Sequence, residues 1–358
     1  MACKLAITSM SLGRCYAGHS FVAKLDAAQK YGYQGIELFH EDLADVAKGF
    51  DTMPLYGPTR KAELAAARHI LRLCKDRGIE ILCLQPFSHY DGLLDREEHK
   101  DRLDQLKFWF TLARELETDI IQIPANFLPA ERVTEDLDLI VSDLREVADM
   151  GLAMDPPIRF AYESLCWSTR VDTWELCWEV VLRVDRPNFG MCLDTFNIAG
   201  RIYADPAASS GKTEDAEDAV RESIASMVRQ VDVNKVFYVQ VVDAERLSEP
   251  LVPGHPFYNA DQPARMSWSR NCRLFYGEED RGAYLPVAEI AEAFFHGLGF
   301  KGWVSLELFN RRMADEGSDV PEELAKRGAI SWRKLQDDMM LTVKPKPKPD
   351  VNRVFASL

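Results

Sequence analysis

The chain has 358 residues, of which 47% are hydrophobic and 28% are charged, and its formal net charge is −14. This balance is typical of a globular protein with a large core, and the acidic excess argues against nucleic-acid binding, because affinity for phosphates requires a basic surface. No apolar run approaches the ~20 residues that cross a bilayer, and the first ten residues lack the pattern of a secretory signal. We therefore expect a cytoplasmic protein with neither nucleic-acid nor membrane partners.

Eight short apolar segments recur along the chain and are separated by longer segments with helical periodicity. The predicted strands are residues 5–8, 35–39, 79–85, 120–123, 158–163, 189–194, 236–242 and 303–307. The predicted helices between them are residues 21–31, 61–77, 100–117, 136–150, 174–184, 214–230 and 286–297. Strands that alternate with helices predict a parallel sheet, and eight of them predict closure into a single (β/α)8 TIM barrel.

An open, doubly wound sheet is the alternative fold, but neither a GxGxxG nor a GxxxxGK[ST] motif follows any predicted strand. We expect one barrel domain over residues 1–342 and an extended tail over 343–358, where alternating Lys and Pro favour neither helix nor core. Residues 243–283, between predicted strands seven and eight, form a long insertion, because such connections usually have ~2–6 residues. We expect this loop insertion to act as a lid or a substrate-binding loop.

Polar residues stand at or near the C-terminal ends of the last four predicted strands, where barrel active sites form. These residues are Glu163 in FAYES, Asp194 in MCLDTFN, Gln240 in YVQVVD and Glu307 in SLELF. One carboxylate at a strand end is often only a helix cap, but four polar groups on successive strands would repel one another without a cation. The pattern predicts an oxygen cage for one divalent ion such as Mg²⁺, Mn²⁺ or Co²⁺, and the lack of His and Cys disfavours a zinc-only site.

Several longer segments carry a resemblance to a known family: GYQGIELFHEDL (32–43), LQPFSHYDGL (84–93), CLDTFNIAG (192–200) and SWSRNCRLFYGE (267–278). They resemble the xylose-isomerase-like barrels and, more narrowly, the quinate-pathway 3-dehydroshikimate dehydratases of fungi and bacteria. The resemblance covers the chain up to about Asn310 and implies a hydro-lyase that converts 3-dehydroshikimate to protocatechuate. In bacterial members a His can closely follow the metal-site Asp, whereas this sequence has Asn197, so a role for that His does not carry over.

The implied reaction removes a proton α to a ketone, which requires a base and a cation that stabilises the enolate. His89, in PFSHYDG after predicted strand three, is the first candidate base, because histidine titrates near neutrality. A loop histidine bonded to a neighbouring carbonyl is the alternative interpretation. Tyr90 and Glu37 are reserve candidates, and Glu37 could instead orient a substrate hydroxyl or a ligand.

The loop insertion holds three candidate substrate-binding residues, Ser269, Arg270 and Arg273. A guanidinium group matches a carboxylate bidentately, and the implied substrate, an anionic hydroxy-keto acid, carries one. The alternative is that these arginines pair on the surface with neighbouring acids such as Glu278 and Glu279. The resemblance favours substrate contact for at least one arginine.

Three other functions fit part of the pattern. A sugar or keto-sugar isomerase or epimerase would use the same metal-bound enediolate chemistry, but it needs a second acid or base and gains little from the arginines. An abasic-site nuclease would need a multi-histidine centre and a basic surface. A non-catalytic binding module would not need the oxygen cage. The sequence leaves the native metal undecided and a homo-oligomer open.

Overall fold

The structure is a computed structural model, and it describes residues 2–51 and 57–341. Eight parallel strands form a closed barrel, and β1 pairs with both β2 and β8, with Ile7 opposite Leu306. The strands are β1 (Lys4–Thr8), β2 (Gly35–Phe39), β3 (Glu80–Gln85), β4 (Ile120–Pro124), β5 (Arg159–Glu163), β6 (Phe189–Asp194), β7 (Val236–Gln240) and β8 (Trp303–Leu306). The (β/α)8 prediction is confirmed, with every strand end within two residues of its predicted position.

Helices surround the barrel, and all seven predicted helices are present. The helices are α1 (Phe21–Lys30), α2 (His40–Lys48), α3 (Arg60–Lys75), α4 (Arg96–Glu115), α5 (Leu137–Leu152), α6 (Trp174–Val184), α7 (Thr195–Ile202), α8 (Ala216–Gln230), α9 (Ala264–Cys272), α10 (Val287–Glu292) and α11 (Val320–Asp338). A π-helical turn, Ala293–Gly297, continues α10.

Four of these helices, α2, α7, α9 and α11, were not predicted. Helices α2 and α7 begin at the residue directly after β2 and β6, so no turn signal separates strand from helix. Helix α9 is largely polar and lacks a regular apolar stripe. Helix α11 does carry such a stripe, which includes Leu324 and Leu335, and it has Pro321 in its first turn. Its pattern was therefore readable from the sequence.

The barrel interior supports the site from below. Ala161, Cys192 and Tyr238 belong to a small buried cluster that is separate from the main core between strands and helices. Each of them lies two positions before a candidate metal ligand on the same strand, and side chains two residues apart in a strand share a face. The candidate ligands therefore stand on a packed apolar layer.

The segment between β7 and β8 is partly helical rather than an open loop. Two short antiparallel strands, Asp243–Ala244 and Arg273–Leu274, flank the part of it that contains α9. The Asp243 carboxylate accepts backbone N–H groups from Tyr284 (3.1 Å) and Leu285 (2.9 Å) and so ties the start of the segment to its later part. Trp268 of α9 packs on Phe196, with ring centroids 4.9 Å apart. These contacts hold α9 beside the C-terminal ends of the strands.

The predicted tail, residues 343–358, lies outside the described residues, as does residue 342 of the predicted barrel domain. The boundary between domain and tail therefore stays a prediction. In residues 2–51 and 57–341, no helix is both long enough and apolar enough to cross a membrane.

Candidate active site

Three of the predicted ligands meet at the C-terminal end of the barrel. Glu163, Asp194 and Glu307 each offer an oxygen within 4.8 Å of the other two, and none of these residues is more than 4% exposed. Burial raises the pKa of all three carboxyl groups, that of Glu307 to about 8. Buried carboxylates at this spacing repel one another, so the donor set fits a divalent cation. We call these three residues the acidic triad.

Gln240, the fourth predicted ligand, lies beside the acidic triad. It ends β7, where it pairs in register with Asp194 on one side and Ser305 on the other. Its side chain is fully buried, and its amide nitrogen donates to both oxygens of Glu37, at 3.1 and 3.0 Å. Its Oε1 has no hydrogen-bond partner among the described residues. A buried, unpaired carbonyl oxygen costs about 1–3 kcal/mol, so this atom fits a fourth oxygen ligand.

Arg273 lies against the acidic triad and not on the protein surface. Its side chain is 1% exposed, and Nη1 donates to Asp194 Oδ2 at 3.0 Å and to Glu307 Oε2 at 3.2 Å. Its Nε donates to the hydroxyl of Ser269 at 3.1 Å. The guanidinium also packs between aromatic rings, 4.2 Å from the centroid of Phe196. Arg273 therefore offsets part of the negative charge of the triad.

Asn197 joins two members of the triad. Its Nδ2 donates to Glu163 Oε1 at 2.9 Å and to Asp194 Oδ2 at 2.8 Å. Its own Oδ1 accepts the backbone N–H of Cys166, which determines the direction of the amide. Asn197 thus orients two candidate ligands.

Two glutamines complete the polar layer around the triad. Gln122 donates to Glu163 Oε2, and Gln85 donates to Glu307 Oε1 at 3.1 Å. Both glutamines are 2% exposed and stand at or near the C-terminal ends of β4 and β3. Every carboxylate of the triad is therefore held by an amide donor, as is typical of ligands in metal sites.

A cavity of 440 Å³ adjoins the triad, which is a size suited to a small molecule. Its wall includes Glu163, Glu307, Ser269 and Arg273, together with four aromatic side chains and several polar ones. The aromatic residues are Phe39, Phe127, Trp167 and Phe309. A flat ring that carries polar substituents would therefore meet both apolar walls and hydrogen-bonding groups.

Two arginines, Arg14 and Arg270, also line this cavity. Arg270 is exposed, donates to Gln262 at 2.8 Å, and forms no ion pair among the residues that the structure describes. Partial desolvation and the nearby charge of Arg14 lower the pKa of Arg270. Arg14 is partly buried and pairs with Glu41 at 2.6 Å. Arg270 therefore gives one side of the cavity a positive group that can receive an anion, whereas the charge of Arg14 is partly offset by Glu41.

His89 lies next to the cavity. His89, like Tyr90 and Glu37, is not among the described residues that line the cavity, but its neighbour Ser88 is. Its ring packs edge-on against Phe127, which also lines the cavity, with centroids 4.3 Å apart. Burial lowers the pKa of His89, so the imidazole is neutral at pH 7, and its Nδ1 has no partner in the described part of the chain. The backbone φ of +58° is strained for a residue other than glycine, and such strain is often found at functional sites.

The two reserve candidates lie deeper in the protein. Neither Tyr90 nor Glu37 is among the described residues that line the cavity, and both are fully buried. The hydroxyl of Tyr90 donates to the backbone oxygen of Asp143 at 2.9 Å, which favours a packing role. Glu37 lies under Gln240 and accepts its amide protons, so its position favours ligand orientation over proton transfer.

A family model described as the xylose isomerase-like TIM barrel matches residues 25–335. The chain belongs to this family. It is 68% identical over 360 residues to a curated 3-dehydroshikimate dehydratase of Neurospora crassa, with 100% of both chains covered. It is also 29% identical to a 3-dehydroshikimate dehydratase of Pseudomonas aeruginosa, over 80% of this chain and 36% of that protein. A solved xylose isomerase-like TIM barrel/4-hydroxyphenylpyruvate dioxygenase fusion protein matches with a TM-score of 0.70 and 25% identity, covering 95% of this chain and 44% of that one.

Several residues of the site in this xylose isomerase-like barrel were not predicted from the sequence. Gln85 and Gln122 carry the same signal that identified Gln240, a polar side chain at or near a strand end, and could have been found by it. Arg14 follows β1 and Trp167 follows β5, in loops at the catalytic end of the barrel. Only that general location, and no motif, pointed to them.

Proposed function

We propose that the protein catalyses the dehydration of 3-dehydroshikimate to protocatechuate. The observation that carries this proposal is the 68% identity, over the whole chain, with the dehydratase of Neurospora crassa. The acidic triad, the adjoining cavity and the two arginines on its wall support the same reaction, since an anionic hydroxy-ketone needs all three.

The cation would be held by an oxygen cage, namely Glu163, Asp194, Gln240 and Glu307. The spacing of the triad and the free Oε1 of Gln240 support this assignment. Carboxylate and amide oxygens suit hard divalent ions such as Mg²⁺ and Mn²⁺, and Co²⁺ is an alternative. A bound divalent ion supplies Lewis acidity to the ketone oxygen of the substrate, which is worth several kcal/mol in the loss of the α proton.

His89 is the proposed base. Its neutral imidazole has a free Nδ1 and can accept a proton from the carbon α to the ketone. The electron pair of that C–H bond forms a new ring double bond as the β hydroxyl leaves, and that hydroxyl with one proton makes the released water. A further proton shift in the ring then gives the aromatic product.

The two sides of the substrate would meet different groups of the cavity wall. We assign the carboxylate mainly to Arg270, which forms no ion pair among the described residues. Arg273 already bonds to Asp194 and Glu307, and Arg14, which lines the same cavity, already pairs with Glu41. The ring hydroxyls would meet Gln122, whose buried Oε1 has no partner among the described residues. Its Nε2 is committed to Glu163, so its oxygen is left to accept from a hydroxyl. Ser269 and Arg273 border the same space and hold the cage in place.

The direct test is product formation. Mn²⁺-loaded protein is incubated with 3-dehydroshikimate, and the absorbance of the catechol product is followed, with Glu163→Ala as the matched inactive variant. We expect protocatechuate from the wild-type protein and none from the variant. Epimerisation of a ketose, without any dehydration of 3-dehydroshikimate, would instead favour an isomerase or epimerase.

A further inference from the structure

The amide of Gln240 is held in one orientation by a single partner. Nε2 lies 3.1 and 3.0 Å from the two carboxylate oxygens of Glu37. Both Glu37 oxygens act as acceptors, since Oε1 also accepts from Thr8 and Oε2 from Gln85. Only the NH₂ end of an amide can donate, so that end of Gln240 faces Glu37. The Oε1 end then faces away, and that atom has no partner among residues 2–51 and 57–341.

Within residues 2–51 and 57–341, Glu37 is hydrogen-bonded by neutral donors and pairs with no cationic side chain. It accepts from Thr8 Oγ1 at 3.1 Å and from Gln85 Nε2 at 2.9 Å, and the thiol of Cys83 lies 3.7 Å from its Oε2. Its side chain is fully buried, and it is not among the described residues that line the cavity. Among the hydrogen bonds of Glu37 in the described residues, those from Gln240 are the ones that involve a candidate metal ligand.

We propose that Glu37 is a positioning residue that turns the oxygen of Gln240 toward the metal cage and its nitrogen away. This inference rests on the proposed metal site. If the amide rotated by half a turn, its oxygen would face the Glu37 carboxylate with no proton between them, and its NH₂ group, which cannot bind a cation, would face the cage. The same contact explains why position 240 carries a glutamine and not a glutamate, since a carboxylate there would have no hydrogen-bond donor to offer to Glu37.

The test is the affinity for Mn²⁺, measured by calorimetry on the metal-stripped full chain. Glu37→Gln keeps the shape of the side chain but lets it donate as well as accept, so both orientations of Gln240 become satisfied. We expect the affinity to fall by roughly 10- to 100-fold, the usual effect of losing an outer partner of a ligand. Circular dichroism should show a folded protein with a cooperative thermal transition.

Asp91→Asn is the matched control. Asp91 is also a buried carboxylate, 1% exposed and bonded to a neutral donor, the hydroxyl of Tyr162 at 3.0 Å. It contacts no member of the cage in the described structure. We expect this variant to bind Mn²⁺ as the wild-type protein does, so that loss of a buried carboxylate alone does not explain the effect of Glu37→Gln.

The double variant Glu37→Gln/Gln240→Glu separates positioning from packing. This double variant places an amide donor at position 37 and a carboxylate acceptor at position 240. The donor again fixes the orientation of the side chain at position 240, so an oxygen faces the cage. Mn²⁺ affinity should therefore be higher than in Glu37→Gln alone. Wild-type affinity in Glu37→Gln, or no recovery in the double variant, overturns the inference while leaving the cage intact. A wild-type protein that binds no Mn²⁺ removes the cage itself and the proposed mechanism with it.

Discussion

Replacement of Arg270 by alanine tests how the cavity recognises the substrate carboxylate. Arg270 is exposed at the cavity wall, and an exposed ion pair contributes about 0.2–1 kcal/mol. Bound substrate would cover Arg270, however, and loss of one partner of a desolvated charge pair costs roughly 2–5 kcal/mol. We therefore expect Arg270→Ala to lose about 1–3 kcal/mol of interaction with the substrate, which lowers kcat/KM by roughly 5- to 150-fold. Arg14→Ala should reduce kcat/KM less, because Arg14 already pairs with Glu41.

The kinetic pattern should identify this contact as a binding contact. A carboxylate distant from the reacting carbons is held equally in the ground state and the transition state, so KM should rise while kcat changes little. Arg270→Lys should recover only part of the loss, since an ammonium group lacks the two-pronged geometry of a guanidinium. Arg281→Ala is the control, because Arg281 pairs with Glu278 at 3.6 Å and is not among the described residues lining the cavity. If neither Arg270→Ala nor Arg14→Ala raises KM, the anion site lies elsewhere.

Three further outcomes are expected. His89→Ala should lower kcat by on the order of 10²–10⁴-fold with Mn²⁺ content unchanged, and a wild-type rate would exclude it as the base. Burial lowers the pKa of His89 below its usual 6.5, and a base works only when it is deprotonated. In the wild-type protein, kcat/KM should therefore decrease with falling pH with a midpoint below pH 6.5, and a midpoint above that value would contradict the assignment. Arg273→Ala leaves buried carboxylates unpaired, so denaturant unfolding of the metal-free protein should show a loss of about 3–5 kcal/mol, part of which Mn²⁺ restores. Equal stability would show that Arg273 does not stabilise the acidic triad.

The barrel and the acidic triad are predictable from the sequence for related reasons. Strands of four to six residues with apolar faces alternate with amphipathic helices, and closure of eight strands brings their C-terminal ends together. Glu163, Asp194 and Glu307 meet because each stands at such an end. The pattern that predicts the fold therefore also predicts the site.

The roles of individual side chains depend on contacts that the sequence does not encode locally. Arg270 and Arg273 are three residues apart, yet α9 ends between them at Cys272 and Arg273 has an extended backbone. One guanidinium is therefore exposed, whereas the other is buried against Asp194. Arg14 reaches the same cavity from the opposite end of the chain, a contact that no local pattern indicates.

In the proposed mechanism, the dehydration requires one divalent cation held by the oxygen cage. Protein stripped with a chelator is titrated with Mn²⁺ while the formation of protocatechuate from 3-dehydroshikimate is followed. We predict no turnover without metal and a rate that reaches its plateau at one ion per chain, with Glu307→Ala inactive throughout. Full turnover by the metal-free protein would contradict the requirement for a divalent cation.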